Sequence, residues 1–306
     1  MGSFPSVAVL MSTYNGERYL DEQIASVFGQ QGVEIQLFVR DDGSQDRTLQ
    51  ILEKYGDSIY LIKGNNVGVG NSFYSVLLEA GTSFDYYAFC DQDDIWLPSK
   101  LNRAIDAISH TEYPVSYCSN QTLCDKDGKI TGNRYSNPVE TNYLKILNNN
   151  NVTGCTMVWN KRLQKLLTDS SRLPSKELLI VRIHDVWVAM VASVVGGIHY
   201  DFDSYIYYRQ HEHNVVGVKK KPLISQWKLK IGNKSIQNGR SKLAKEIIQK
   251  YGDLIQDTST KEKLTEFADY QSSFSAKVRL LCEHDLGKYT DEPLWQLRLK
   301  IMLNLF

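Results

Sequence analysis

Four apolar runs, each ending in a polar turn and followed by residues at helical spacing, set the pattern of the first hundred positions. Val7-Ala8-Val9-Leu10-Met11 runs into Ser12-Thr13-Tyr14-Asn15-Gly16. Leu20, Ile24, Val27 and Phe28 then recur at helical spacing until Gly29 or Gly32 stops them. Ile35 to Val39 runs into Arg40-Asp41-Asp42-Gly43-Ser44, and Asp46 is placed to cap a helix carrying Leu49, Leu52 and Tyr55. Ile59 to Ile62 precedes a Gly/Asn loop at Asn65 to Asn71, followed by Phe73, Val76, Leu77 and Ala80. Tyr86-Tyr87-Ala88-Phe89 is the fourth run. Apolar runs without alternation are strands buried on both faces, as in parallel sheets. Strands alternating with helices on short loops predict an α/β chain: a Rossmann-like, mostly parallel central sheet with helices on both faces.

The later chain continues this pattern less regularly. Leu101, Ala104, Ile105 and Ile108 read as a helix, Val115 to Asn120 as a strand, and Asp127-Gly128 as the turn of a hairpin. Asn148 to Asn151 reads as a loop, and Gly154 to Trp159 as a strand with Leu163, Leu166 and Leu167 behind it. Another helix, with Val188, Val191 and Ala192, follows Ile183-His184-Asp185-Val186-Trp187. Tyr205 to Asn214 is a strand that ends in a polar cluster. From Lys219 the pattern is helical and amphipathic, with Leu243, Ile247, Ile248 and Tyr251 on one face. Residues 294–306 are strongly apolar with Arg298 and Lys300 interleaved. That segment is either a helix docked on the rest of the chain or a helix lying in a membrane interface, with the membrane slightly favoured.

The fourth run changes the picture, because it ends in Asp91-Gln92-Asp93-Asp94-Ile95-Trp96. A buried strand thus delivers three carboxylates to its C-terminal edge, where open α/β sheets bind ligands. Crowded carboxylates repel, and a hard divalent cation relieves this. A helix cap is the alternative, since Asp suits the position before a first turn. The metal is favoured because the run follows a strand rather than a solvated linker. Thr13, Asp42 and Asp91 end different strands on one edge, so they converge on a nucleotide pocket. The Gly68/Gly70 loop lacks the full dinucleotide fingerprint and does not follow the first strand, which argues against an NAD enzyme. Asp185 on its own reads as an N-cap. His211 and His213 are solvated or a zinc pair, but zinc would want further ligands nearby.

Charge adds a division. The 306 residues carry no formal net charge, and nothing suggests nucleic acid. Residues 1–215 hold 18 Lys and Arg against 25 Asp and Glu, while residues 216–306 hold 17 against 10. An acidic front domain over 1–215 and a basic helical region over 216–306 are therefore expected. The five cysteines show no paired spacing and read as reduced core residues of an intracellular protein. No apolar run is long enough to span a bilayer.

The ordered motifs Val9 to Gly16, Arg40 to Asp46, Asn65 to Gly70 and Asp91 to Trp96 resemble those of family 2 glycosyltransferases, inverting enzymes of the GT-A type. Tyr208-Arg209-Gln210-His211 with Asn214, and His184-Asp185-Val186-Trp187, are similar to the branch that transfers L-rhamnose to bacterial surface polysaccharides. The resemblance implies a GT-A fold with a C-terminal helical extension. It implies nucleotide-sugar contacts at Thr13, Tyr14, Asn15, Glu17, Asp42, Asn71, Asp91 and Gln92, with Asp42 taking the base's N–H and Asp91 near the ribose. Asp93 and His211 would hold Mn²⁺ or Mg²⁺, and Asp185 would be the general base. Asp94, Trp96, His184, Trp187, Arg209 and Gln210 would face donor or acceptor sugar. Many relatives have Glu-Asp where this chain has His184-Asp185, which leaves the second carboxylate's role open.

The implied donor is dTDP-β-L-rhamnose and the implied acceptor a lipid-linked saccharide, met at the inner face of a bacterial cell membrane in cell-surface polysaccharide synthesis. A homodimer is compatible with the sequence. The alternatives are another donor such as a UDP-hexose or UDP-galactofuranose, a sugar nucleotidyltransferase, or an inactive binding module. The nucleotidyltransferase would need an Arg/Lys-bearing Gly-rich loop after the first strand, and Thr13-Tyr14-Asn15-Gly16 offers none.

Overall fold

The computed structural model describes residues 4–211, 238–283, 285–290 and 292–306. The first four runs form strands β1 (Ser6–Thr13), β2 (Glu34–Asp41), β3 (Ile59–Lys63) and β4 (Tyr86–Cys90), joined by helices α1 (Leu20–Phe28), α2 (Thr48–Glu53) and α3 (Val69–Glu79). After β4 come β5 (Ile95–Trp96), α4 (Lys100–Ile108), β6 (Val115–Cys124), β7 (Ile130–Asn133), α5 (Tyr143–Asn149), β8 (Val158–Asn160), α6 (Lys161–Leu167), α7 (Lys176–Val181), α8 (His184–Val195) and β9 (Gly197–Arg209). The described C-terminal helices are α9 (Gly239–Tyr251), α10 (Thr258–Asp269), α11 (Phe274–Cys282) and α12 (Leu294–Met302). One sheet runs in the order β3-β2-β1-β4-β8-β6-β9-β5, with β7 beside β6. The half from β3 to β4 is parallel. Beyond it β8 is antiparallel to both β4 and β6, and β9 is parallel to β6.

Strand periodicity explains how this sheet is covered. Successive side chains point to opposite faces. Ala8 and Leu10 of β1 join the core that contains Phe73 and Leu77 of α3 and most of α8. Val7, Val9 and Met11 join the core made by Leu20 and Ile24 of α1, Leu52 of α2 and Leu101 of α4. All five β1 residues are fully buried, each worth roughly 1.5–3 kcal/mol for the larger side chains. Helices therefore lie on both faces, and the C-terminal ends of β1, β2 and β4 are fixed against one another. Gly70 permits the close approach of α3 and α7, since a Cβ there would lie 2.1 Å from the Leu179 carbonyl oxygen.

Several local readings are corrected. The Asn148 to Asn151 loop is partly helix: α5 runs through Asn149, capped by the Asn142 side chain, which accepts from the Lys145 amide at 3.0 Å. Gly154 to Trp159 is not one strand but a 3-10 turn over Gly154–Thr156 leading into β8. The short α7 and β5 have no periodic signal in sequence. α7 is fixed by Ser175, whose hydroxyl accepts from the Leu178 amide. The Asp127-Gly128 hairpin is present, with β6 and β7 paired across it. His213 and Lys219 to Lys221, and the 215/216 boundary itself, lie outside the described residues.

The C-terminal helices share the core of the sheet. Leu243, Ala244, Ile247 and Tyr251 of α9 pack in the same cluster as α3 and α8, as do Leu297 and Ile301 of α12 and the final Phe306. The Phe306 ring stacks on Phe267 with centroids 5.7 Å apart, and the Arg240 guanidinium lies 4.6 Å from its centroid. The inner stripe of α12 is thus docked, as one of the two sequence readings expects. Its outer stripe, Trp295 and Met302 with Leu303 beyond, stays exposed at 64%, 54% and 54%. No helix among the described residues is long and apolar enough to cross a membrane. Phe306→Ala should lower unfolding free energy by about 3 kcal/mol or more, the usual cost of emptying a buried aromatic site. Chemical denaturation with an unchanged midpoint would show that this end of the chain adds nothing to the core.

Candidate functional site

The strand ends open into a cavity of about 1070 Å³. Its walls come from the β1 end (Ser12, Tyr14 to Tyr19), the β2 end (Asp42, Asp46), the loop before α3 (Asn66, Gly68), the β4 end (Asp91 to Asp93), Gly154, His184 with Asp185, and the β9 end (Tyr208, Gln210, His211). Sequence-distant segments meet because parallel strands end on one edge.

Hydrogen bonds within the protein build the nucleotide side. Thr13 is buried and its carbonyl accepts from the Asp42 amide at 2.8 Å. Asp41 holds the turn, accepting from the amides of Gly43 at 3.1 Å and Ser44 at 2.9 Å. The Asp42 carboxylate is paired with Arg40 and accepts from the amides of Val67 at 2.9 Å and Gly68 at 3.1 Å. It therefore pins the Gly/Asn loop to the wall. Gln92 clamps the β1 turn: its side chain accepts from the Tyr14 amide at 2.9 Å and donates to the Tyr14 carbonyl at 3.2 Å. Asn15, at φ 48°, accepts from the Gln45 amide. Glu17 accepts from the Arg47 amide and Nε, and these bonds hold its carboxyl below the usual range. Asn71 donates to the carbonyls of Val67 and Lys176 and lies behind the wall.

The carboxylates are compensated unequally. His211 Nε2 lies 2.8 Å from Asp93 Oδ2, so the two expected metal ligands do meet. Asp94 is fully buried, and its Oδ1 accepts from the Arg209 amide at 3.1 Å. Burial first, then the charges of Asp93 and Asp185, pushes Asp91 up to about 7. Asp185 Oδ1 accepts from the Val186 amide at 2.6 Å and Oδ2 from the Gly154 amide at 3.3 Å. Burial outweighs these bonds and raises Asp185 to about 6. The expected N-cap position is in fact Ile183, with Asp185 in the first turn of α8. His184 is buried and stacks on Phe73 at 3.9 Å, with Phe89 edge-on at 4.6 Å. Burial pulls it down to about 3, so it stays neutral.

The sequence model of glycosyl transferase family 2 matches residues 8–167, more than half of the 306. The chain belongs to this family. A dTDP-rhamnosyl transferase of Shigella flexneri, RfbG, is 39% identical over 105 residues, 32% of this chain and 36% of that protein. An uncharacterized glycosyltransferase of Rickettsia typhi is 25% identical over 68% of this chain and 65% of its own length. The chain thus aligns with about a third of the first relative and just under two thirds of the second. The structure of S. aureus TarS 1–349 in complex with UDP superposes with TM-score 0.59 and 17% identity, covering 98% of this chain and 87% of that one. That likeness concerns fold alone, which is of the GT-A type.

Within this family 2 chain the sequence-picked residues separate into two groups. Tyr14, Asn15, Glu17, Asp42, Asp91, Gln92, Asp93, His184, Asp185, Gln210 and His211 line the cavity. Thr13, Asn71, Asp94, Trp96, Trp187 and Arg209 do not. Trp96 and Trp187 are core side chains. Arg209 braces the acidic turn from behind, donating to the carbonyls of Asp93 at 3.0 Å and Lys126 at 3.1 Å and pairing with Glu22 at 2.6 Å.

Divalent Mn²⁺ or Mg²⁺ suits the front of this cluster, where the Asp91 and Asp93 carboxylates and the His211 imidazole line the cavity. Two participants escape sequence reasoning. Asp41 was visible only as half of an Asp pair, and Gly154 had no local signal, because its role is a packing contact 31 residues away. A Cβ on Gly154 would sit 3.0 Å from His184 Nε2 and 3.3 Å from Asp185 Cβ. Gly154→Ala should therefore displace Asp185 and lower turnover about tenfold, at unchanged nucleotide affinity and melting temperature. Full turnover in Gly154→Ala would show that the position of Asp185 tolerates that shift.

Proposed function

We propose that this chain is a metal-dependent inverting glycosyltransferase that moves L-rhamnose from dTDP-β-L-rhamnose to a hydroxyl of a lipid-linked saccharide. One observation carries the reaction class: the Asp91/Asp93 pair and Asp185 reach one cavity from different sheet and helix ends, with Asp185 held near the pKa a general base needs. The choice of rhamnose is supported by the likeness to the Shigella flexneri dTDP-rhamnosyl transferase. UDP-hexose donors are the competing reading, supported by the fold shared with a UDP-binding protein.

The residues divide the work. Gln92 and the Asp42-pinned loop hold the walls on which the nucleotide would lie. Asp93, His211 and Asp91 would hold Mn²⁺ or Mg²⁺, which supplies Lewis-acid stabilisation of the leaving diphosphate, worth several kcal/mol. Asp185 accepts the proton of the acceptor hydroxyl while that oxygen bonds to the anomeric carbon and the bond to the diphosphate breaks. One displacement inverts the centre, so a β-linked donor gives an α-L-rhamnoside. A placed base contributes about 10²–10⁴-fold.

The test is a panel of sugar nucleotides with Mn²⁺ and Mg²⁺. Asp185→Asn should lower turnover about 10²-fold or more with donor binding kept, and Asp93→Ala should lose metal-stimulated turnover. Because the base works ionised, kcat/KM should fall as pH drops through about 6, the value to which burial raises Asp185. The limb belongs to the Asp91–Asp185 pair, since each charge disfavours the other's ionisation. Full activity in chelator, or a flat profile between pH 5 and pH 8, would remove the metal or the base respectively.

A lipid-linked acceptor would be met at a membrane surface. The exposed outer stripe of α12 supports this, and the docked inner stripe does not oppose it. Replacing Trp295 and Met302 with Ser should abolish co-sedimentation with anionic liposomes at unchanged stability. Equal co-sedimentation would end the membrane reading.

A further inference from the structure

Behind the acidic turn, on the side away from the cavity, four buried polar atoms have no hydrogen-bond partner among the described residues: Gln23 Oε1, Asp94 Oδ2, Trp96 Nε1 and Lys100 Nζ. The four residues are tied into one neighbourhood. Gln23 Nε2 donates to Cys90 Sγ at 3.1 Å, and Cys90 immediately precedes Asp91. Lys100 is 1% exposed, and its ammonium lies 3.6 Å from the centroid of the Trp96 ring. A lysine is almost never fully buried without a compensating charge. Cys90, Cys155, Asp94 and Asp91 act on Lys100 electrostatically.

Asp91, Asp94 and Cys155 bring ligand atoms within 4.8 Å of one another, an arrangement that by itself resembles a metal site. Cys155 Sγ already accepts from Gln121 Nε2 at 3.1 Å, and an ammonium stands beside the set. A second divalent ion there would meet that ammonium's repulsion.

We infer that Lys100 is a built-in cation of the donor site: its ammonium, seated on Trp96, offsets Asp91 and Asp94 from behind and so sets how tightly the cavity side of the cluster holds a divalent ion. Lys100 touches no substrate in this scheme. It is a positioning residue that acts through Asp91 and Asp94. The inference rests on the metal reading of the front cluster, and its test separates the two.

The experiment titrates Mn²⁺ into the full chain without sugar nucleotide, following free Mn²⁺ by electron paramagnetic resonance. Lys100→Met keeps the length and apolar stem and removes one positive charge, so Mn²⁺ should bind at least tenfold more tightly. Asp94→Asn should bind it at least tenfold more weakly. The double variant, which removes both charges, should return to within threefold of the parent and recover stability. If Lys100→Met alone does not fold, the comparison of Asp94→Asn with the double variant carries the test. Changes below threefold in both single variants would overturn the inference while leaving the metal reading in place. Binding by Lys100→Met but not by the parent chain would defeat the metal reading of the native chain and overturn the inference with it. Absence of binding in both would overturn the inference as well.

Discussion

Crowded negative charge at the C-terminal edge of one sheet is the constraint on which this structure depends. Asp42, Asp91, Asp93, Asp94 and Asp185 all arrive there, and no two are compensated in the same way. Asp42 is satisfied by Arg40 and two loop amides. Asp93 has His211, and Asp94 has the Arg209 amide and the field of Lys100. Asp185 has two backbone amides and, among the described residues, no cation within hydrogen-bond distance. Burial first, then the charges of Asp93 and Asp185, holds Asp91 near 7. A folded chain can hold such a set only if the backbone carrying it is rigid, because relaxation would let the carboxylates separate or reach water.

That rigidity comes from packing far from the edge. Two hydrophobic cores clamp the sheet between helices, and β1 contributes alternate side chains to both. The C-terminal helices belong to this clamp. Trp187, two residues after Asp185, packs edge-on to Tyr251 of α9 with centroids 5.9 Å apart. The helix that carries Asp185 is therefore held from the sheet side by Phe73 and Phe89 around His184 and from the other side by α9. A region that reads as an appendage in sequence is structurally a support for the proposed base. This is also why Trp187 is a core residue rather than a sugar contact: its indole is spent on holding α8.

What was legible in the sequence follows from where the information lies. The parallel strands and the carboxylates at their ends are local patterns that bring Thr13, Asp42 and Asp91 to one edge, whereas Asp185 and His211 joined that set only through the resemblance to family 2 glycosyltransferases. Residues that act through distant packing were not legible. Gly154 matters only because α8 lies against it, and α5 and α7 are set by single capping contacts from Asn142 and Ser175 rather than by periodicity. The same limit explains Trp96 and Arg209. Each lies within or near a motif that points to a ligand, but the side chains turn inward, one beneath a buried ammonium and the other across the back of the acidic turn. Motif membership points to a region of the chain, and only the fold says which side of the wall a side chain occupies.

The same charge argument applies to His184, the residue beside Asp185. A carboxylate there would add another negative group beside Asp185 in a pocket whose wall already raises Asp91 to about 7 and Asp185 to about 6. Like charges at such distances push carboxyl groups toward the protonated form, and a protonated Asp185 cannot accept a proton from an acceptor. Burial between Phe73 and Phe89 instead drives the His184 imidazole down to about 3, so it adds neither charge. The residue next to the proposed base is thus polar in composition but electrically silent. It fills the place beside the proposed base without adding a sixth negative charge.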